Sequence, residues 1–597
     1  MSETKVKAKR VGPDVDMTHQ QIMLVVYGLM AGMFLSSLAQ TVFGTAIRVI
    51  GDDLHGLDKQ AWVTTAYLIT STVSMPIYGK LSDIFGRRAL YIFGVSVFIA
   101  GSLLSAMSTS MMMLAGFRAF QGIGAGALMT LPLAILGDIL APRERARYQA
   151  YFMAVFGISS VLGPLVGGLL AGADSILGIT GWRWVLLINL PIGAVALGMI
   201  IAFLHLPQVG HNKNTRIDWW GAATVVMALV PILLVAEQGR TWGWGSAGSI
   251  ACYVIGVVGL VGFVVAQAKM GQDAIIPLKL FRSKAFSMAT VLSTLVGFGM
   301  FGAMMTIPLY LQIVKGLSPT GAGFAMLPLT IGLMGASIFS GQYVARRGTY
   351  QIFPITGTIS MVIGYAILLF THVDQPMWQL MCAQFFIGVG LGQLMQTLTL
   401  ASQNAVEPQD MGVATSSATF FRQVGGTLGT AVLLSVLFAS LGGNIGHAME
   451  DKEQLTAGIE AALDPAVSEA PENAAVMKQI WEPLVAQVKT QIDVNDPAAR
   501  QAAADATADA VIAQLKAADG ASTSEQSSDT SFLNGADSRL THPFLDGFAH
   551  SAVAVFRIGI SVIVLSLILT FFFKVPPLRA RSALQEKKAA LMEESLA

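Results

Sequence analysis

The chain has 597 residues, of which 54% are hydrophobic and 12% charged, with a mean hydropathy of +0.62 and a formal net charge of +1. Soluble domains carry roughly 25% charged residues to keep a polar surface, so this composition excludes a soluble enzyme. The near-zero net charge gives no global basic character and excludes nucleic acid as a partner.

From the N-terminus, Lys5, Lys7, Lys9 and Arg10 precede an apolar run from Ile22 to Ile47. That run is too long for a signal-peptide core and no small-residue cleavage site follows promptly, so it reads as a retained helix. A bilayer span needs about 20 apolar residues. Stretches of that length predict helices near 22–47, 61–79, 89–107, 111–137, 151–171, 185–206 and 219–236. Further ones follow near 249–268, 286–313, 321–342, 352–371, 377–401, 413–441 and 552–573, making 14 spans of an all-α integral membrane protein. Cys252 and Cys382 both fall inside these stretches, as small buried hydrophobes do, and build neither a disulfide framework nor a Cys/His metal site.

Basic residues gather in alternate loops: Arg87 and Arg88; Arg143, Arg145 and Arg147; Lys213 and Arg216; Lys279, Arg282 and Lys284; Arg346 and Arg347. The N-terminal cluster and the tail (Lys574, Arg579, Arg581, Lys587, Lys588) share that side. By the positive-inside rule this face and both termini are cytoplasmic, in a multi-pass protein of a bacterial inner or plasma membrane.

The expected divisions are a tail at 1–21, a six-helix bundle at 22–206, a linker with two extra spans at 207–285, and five helices of a second bundle at 286–442. An insertion at 443–550, a last span at 551–574 and a tail at 575–597 complete the chain. The insertion has 17 Asp and Glu against 6 Lys and Arg, many alanines, and a Ser-rich stretch near 521–531, which places it outside the membrane on the non-cytoplasmic side. Apolar residues at helical spacing (Ile480, Leu484, Val488) predict a short helical part within 476–518. The insertion reads as a solvated, partly ordered loop, or as a lid or docking site for an envelope partner.

Two echoes point to internal repetition, a feature of transporters built from related halves. Gly79 and Gly86 stand seven residues apart, as do Gly341 and Gly348; Gly122, Gly124 and Gly126 alternate, as do Gly388, Gly390 and Gly392. Both echoes are offset by about eight helices, which predicts two six-helix bundles, spans 1–6 and 9–14, with two added spans between them.

The strongest local pattern is Gly79-Lys80-Leu81-Ser82-Asp83-Ile84-Phe85-Gly86-Arg87-Arg88. Asp83 near a neighbouring helix N-terminus, with Arg87 and Arg88 bridging helices, makes a conformational latch that holds one face closed. Arg118 sits inside a span with Gln121 one turn on; a charge at that depth faces a cavity or a partner, which suggests a role in coupling or substrate access. In Gly157-Ile158-Ser159-Ser160-Val161-Leu162-Gly163-Pro164-Leu165-Val166-Gly167-Gly168, Gly163 and Gly167 allow close helix approach and Pro164 permits a bend.

These three stretches resemble the best-known motifs of the major facilitator superfamily, the last being its antiporter motif. Trp62-Val63-Thr64-Thr65-Ala66-Tyr67-Leu68, Trp182-Arg183-Trp184 with Ile188-Asn189-Leu190-Pro191-Ile192-Gly193, Pro308-Leu309-Tyr310-Leu311-Gln312 and Phe420-Phe421-Arg422-Gln423-Val424-Gly425-Gly426 narrow the likeness to its 14-helix drug:proton antiporter branch, similar to EmrB and QacA. The resemblance covers nearly all of the chain except the acidic insertion. It implies a monomer that exports small amphipathic compounds from cytoplasm or inner leaflet by alternating access, in antiport with protons. The chain departs from the branch in its first span, Leu38-Ala39-Gln40-Thr41-Val42-Phe43-Gly44-Thr45-Ala46-Ile47-Arg48, where Ala39 replaces the usual acid and Arg48 the usual proline. The remaining acids near spans are Asp83, Asp138 and Glu237.

The polar lining is otherwise made of amides and one arginine: Gln40, Gln312, Gln384, Gln393, Gln396, Gln403, Asn404 and Arg422. Of these, Gln40 and Arg422 join Arg118 and Gln121 as coupling residues, and Gln312, Gln393, Gln396 and Asn404 form a substrate cavity or act as interhelical glue. No HExxH, GxSxG or P-loop is present and no His-carboxylate cluster lies in the membrane, so no catalytic residue, metal or cofactor is expected. Two other readings compete with multidrug efflux: an exporter or flippase of envelope lipids, suggested by Ala39 and the insertion, and a transporter-like sensor using the insertion.

Overall fold

The structure is a computed structural model that describes residues 19–55, 59–204, 216–517 and 535–578. The N-terminal basic cluster, Arg579, Arg581, Lys587 and Lys588 of the C-terminal tail, Lys213 and the Ser-rich stretch lie outside the described residues, as do the side chains of Pro164 and Glu237.

A bilayer offers no water to backbone N–H and C=O groups, so each crossing segment must satisfy them internally as helix. The first half of the chain forms α1 (His19–Asp53), α2 (Gln60–Phe85), α3 (Arg87–Ala106), α4 (Met111–Ile139) and α5 (Pro142–Ala171). A two-strand turn, β1 (Ser175–Ile176) paired antiparallel with β2 (Ile179–Thr180), leads to α6 (Gly181–Leu187) and α7 (Asn189–Phe203). The last two make one span broken at Ile188, since Pro191 has no N–H to donate to the carbonyl of Leu187 four residues back. Next come α8 (Trp219–Trp242), α9 (Ala247–Met270), α10 (Lys284–Ile313), α11 (Pro319–Ala325) and α12 (Leu327–Arg347). The break between α11 and α12 at Met326 has the same cause, Pro328. After α13 (Ile352–Leu368) and α14 (Met377–Asn404) runs α15 (Met411–Met449), and the chain re-enters the bundle through α21 (Ser538–Phe571).

Among the described residues twelve helices are long and apolar enough to cross a membrane. The 17-residue α13 and the 26-residue α2, whose hydropathy Lys80 and Asp83 lower, accompany them, and the set fits fourteen spans. The same packing scheme occurs twice: α2 on α4, α3 on α4, α1 on α5 and α7 recur as α12 on α14, α13 on α14, α10 on α15 and α21. These are two six-helix bundles, and α8 pairs with α9 outside them.

The alternating glycines explain how one helix serves two neighbours. A Cβ on Gly122 or Gly126 would strike the α2 backbone at Tyr67 or Ser71, whereas one on Gly124 would strike α3 at Gly94 and Phe98. In the second bundle Gly388 and Gly392 meet α12 at Leu329 and Leu333, and Gly390 meets α13 at Gly357. Small residues are what allow such backbone approach in membranes.

At about 1.5 Å per residue, the 39 residues of α15 and the 34 of α21 far exceed the roughly 30 Å hydrocarbon core. Both project on the face opposite the basic loops. There they continue past positions 442 and 551 into the acidic segment, which folds as α16 (Lys452–Leu463), α17 (Pro465–Ser468), α18 (Ala474–Val476), a π turn (Met477–Trp481), α19 (Glu482–Lys489) and α20 (Pro497–Ala517). Its core centres on Trp481, fully buried among Leu455, Ile459, Val485, Ala504 and Ala508 and closed by Ile445 of α15 and Phe544 of α21. Trp481 also donates through Nε1 to Leu540 O at 3.0 Å.

Two outcomes are expected. Gly390→Val drives a side chain into α13 and destabilises the protein by about 1–3 kcal/mol, read as a lower thermal midpoint in detergent. Trp481→Ala costs about 3–5 kcal/mol in the small core; limited proteolysis then cuts the insertion while the spans stay intact.

Candidate functional site

The halves meet along two seams, α2 and α4 against α15 and, equivalently, α5 against α12. The first carries the glycine-bounded turn. Gly86, with φ of 90°, joins α2 to α3 in a backbone conformation open chiefly to glycine. That turn sets Arg87 between two acids: it pairs with Asp83 at 2.6 Å and with Asp138 at the end of α4 at 2.8 Å, and donates to Ser82 Oγ. The trio abuts the N-terminus of α15, where a Cβ on Gly412 would lie 2.7 Å from Asp83 Oδ1 and against the Arg87 guanidinium. Gly79 likewise leaves room for Ser416 of α15. A carboxylate there also meets the positive end of the α15 dipole.

The second seam repeats the device with other residues. Gly341, seven positions before Gly348, approaches the α5 backbone, where a Cβ would sit 2.6 Å from Ala146 O. Arg143 donates to Ala345 O at 2.6 Å and to Arg346 O. Fully buried Arg145 donates to Gln403 Oε1 at 2.6 Å, Gly137 O at 2.7 Å and Leu140 O at 3.0 Å, and Gln396 donates to Ala146 O. Gln403 itself reaches Leu133 O at 3.3 Å and Thr415 Oγ1 at 2.9 Å, so one amide ties four helices. On the sequence alone Arg143 and Arg145 are only loop charges; the partner amide, 258 positions away, is visible only in the fold.

The segment after α9 straps the first seam. Buried Asp218 accepts from Gly221 N at 2.7 Å, Gln267 Nε2 at 2.8 Å and Ile275 N at 3.3 Å, shaping the loop so that Ile275 and Ile276 pack with Met75 of α2 and Phe420 of α15. Lys80 of α2 donates to Gln272 O at 2.7 Å, and Lys279 pairs with Asp410 at 2.8 Å. Above these contacts a small cavity, with room for about one water molecule, is lined by Leu133, Gln149, Met153, Met395, Gln396, Thr399 and Arg422.

Two homologous bundles that close on each other at one face, with a small cavity between them where Gln149, Gln396 and Arg422 stand among apolar side chains, fit the geometry of an alternating-access transporter. The profile of the Major Facilitator Superfamily matches residues 29–430, two thirds of the chain. The chain belongs to the Major Facilitator Superfamily. It is 37% identical over 423 residues to the multidrug transporter protein MdtP of Bacillus subtilis (strain 168), covering 70% of this chain and 76% of that protein. It is 36% identical over 413 residues to multidrug resistance protein 3 of the same organism, covering 69% and 79%. The human organic anion transporter MFSD10 (TETRAN) shares the fold, with a TM-score of 0.52 at 16% identity over 69% of this chain and 93% of that one. It is a transporter and not an enzyme.

The other sequence-predicted residues of this superfamily member are dispersed. Arg88 donates to Ile201 O of α7 at 2.7 Å and so bridges within the first bundle. Arg118 is 1% exposed, bonded to Gln121 Oε1 at 2.7 Å and stacked on Phe43 and Tyr67 at 4.2 and 4.1 Å from the ring centroids. It is interior to the first bundle; Gln40 is half-buried on α1 and Arg422 lines the cavity, neither being a partner of Arg118. Gly163 and Gly167 pack on α1 at Thr41 and Val42, Gly157 faces Thr330 and Met334 of α12, and Gly168 has open space. α5 runs unbroken past Pro164. Of the four cavity amides only Gln396 lines the cavity: Gln393 accepts from Thr356 Oγ1 at 2.6 Å, Asn404 donates to Tyr350 Oη at 3.5 Å, and Gln312 lies at the far end of α10.

Arg87→Met strips the cation from between Asp83 and Asp138. Breaking a buried pair this way costs about 3–5 kcal/mol, and spin labels on the α2–α3 and α14–α15 loops are expected to separate.

Proposed function

We propose that the protein exports hydrophobic or amphipathic compounds by alternating access, driven by the proton gradient. The observation that carries this is the closed face: Arg143 and Arg145 of the first half bond Ala345, Arg346 and Gln403 of the second, and the Arg87–Asp83–Asp138 cluster of the first half packs against Gly412 of α15, all contacts that can be broken and remade. The names of the two Bacillus relatives support efflux as the direction and varied compounds as the cargo. In this reading the basic face and both termini are cytoplasmic in a bacterial inner or plasma membrane. The bundles at 22–206 and at 286–442 with 551–574 rock about the cavity, and 207–285 serves as the linker. The insertion at 443–550 stands outside, available to an envelope partner. Ala39, buried where the branch usually has an acid, favours a second reading as an exporter or flippase of envelope lipids.

Inverted vesicles containing the purified protein, acidic inside and offered amphipathic fluorescent dyes of either charge from outside, test both. Dye uptake that collapses with an uncoupler and with Arg87→Met is expected. Transfer of labelled lipid between leaflets with no dye uptake overturns efflux in favour of the lipid reading.

A further inference from the structure

The buried arginines of the seam and bundles have partners, whereas half-buried Arg422 has none among the described residues. Arg87 has two carboxylates, Arg145 has Gln403 and two carbonyls, and Arg118 has Gln121 and two rings. Arg422 lies 11 residues into α15, about 16 Å from the basic end at 1.5 Å per residue. Among the described residues no hydrogen bond, ion pair or ring contact engages its guanidinium. Gln149 of α5 lines the same cavity; it is 2% exposed, yet neither its amide nitrogen nor its carbonyl oxygen has a partner. Buried polar groups left unmet are costly and uncommon. Gln149 is such a group, and with the half-buried, unpaired Arg422 of the opposite half lining the same cavity the two mark a place for a third group. No carboxylate lines the cavity, and Gln396 already bonds Ala146 O and Ser340 Oγ.

We propose that Arg422 and Gln149 form a recognition site for the acidic group of an amphipathic substrate, a carboxylate, sulfonate or phosphate whose apolar body lies along Leu133, Met153 and Met395. The proposal rests on the transport reading above and names its substrate class. A guanidinium presents a planar fork that matches such oxyanions, the Gln149 amide adds a neutral donor from the other half, and low local dielectric strengthens both. The same charge disfavours a cation. Because the two groups belong to different halves, their separation changes with the seam: closed, the space between them holds about one water molecule, and it widens to admit the acidic group when Arg145–Gln403 and Gln396–Ala146 part toward the basic face.

Full-length protein in phosphatidylcholine nanodiscs, titrated with fluorescein, a carboxylate dye, and with rhodamine 6G, a cation of the same ring system, tests the site by fluorescence anisotropy. Arg422→Gln is expected to weaken fluorescein about tenfold, Arg422→Lys less, and Gln149→Leu in the same direction, with thermal midpoints reporting intact folding and rhodamine 6G bound no more weakly. Displacement of fluorescein by added phosphatidylglycerol assigns the acidic group to a lipid headgroup, and its absence assigns it to a soluble substrate; both keep the anionic class. Equal fluorescein affinity in wild type and folded Arg422→Gln overturns the proposal, as does wild type that binds rhodamine 6G and not fluorescein. Fluorescein binding that depends on Arg422 without any gradient-driven transport leaves the site standing and removes the efflux reading instead.

Discussion

Arg87 lies 7% exposed between Asp83 and Asp138, where its charge has lost most of its water and must be neutralised locally. Breaking such a pair by removing one partner costs about 3–5 kcal/mol, so the cluster holds the closed arrangement firmly. Its position beside the start of α15 transmits that constraint across the molecule. Gly412 and Gly79 bring the two halves close enough for the charges to be enclosed, and the strap through Ile275 and Lys279 covers the same seam from outside. Disturbing any one of these opens the others to solvent.

The second seam reaches closure by different chemistry. Arg145 and Arg143 spend their donors on carbonyls and an amide, so no acid is needed. The two seams are related by the internal repeat, and the Arg87–Asp83–Asp138 cluster borders the first of them. The asymmetry leaves the first seam bordered by a charge cluster and the second held by guanidinium-to-carbonyl and guanidinium-to-amide bonds.

At the opposite face the long helices α15 and α21 carry the insertion as a continuous extension of the second bundle. Because Ile445 and Phe544 belong at once to those helices and to the core around Trp481, the insertion cannot move independently of them. Movement of the second bundle therefore moves the insertion with it.

How much was legible beforehand follows from the range of each interaction. Span count, helix class, the repeat and the glycine turn depend on runs of apolar residues and on local spacing, which the bilayer and the backbone impose within one or two helices. Gly122 to Gly126 and Gly388 to Gly392 were readable as a repeat for that reason, although which neighbour each glycine admits was not. Gln312, Gln393 and Asn404 are chemically like Gln396, and only the packing of the helices decides which of them lines the cavity and which bonds a neighbouring helix. Pairing of Arg145 with Gln403, and the isolation of Arg422 opposite Gln149, join residues more than two hundred positions apart. The sequence by itself determined that the chain is a two-bundle membrane protein with a charged turn, because hydrophobicity and spacing are local. Only the tertiary structure decided which charges are met and which is left to meet a ligand, because a buried charge is defined by its neighbours in space.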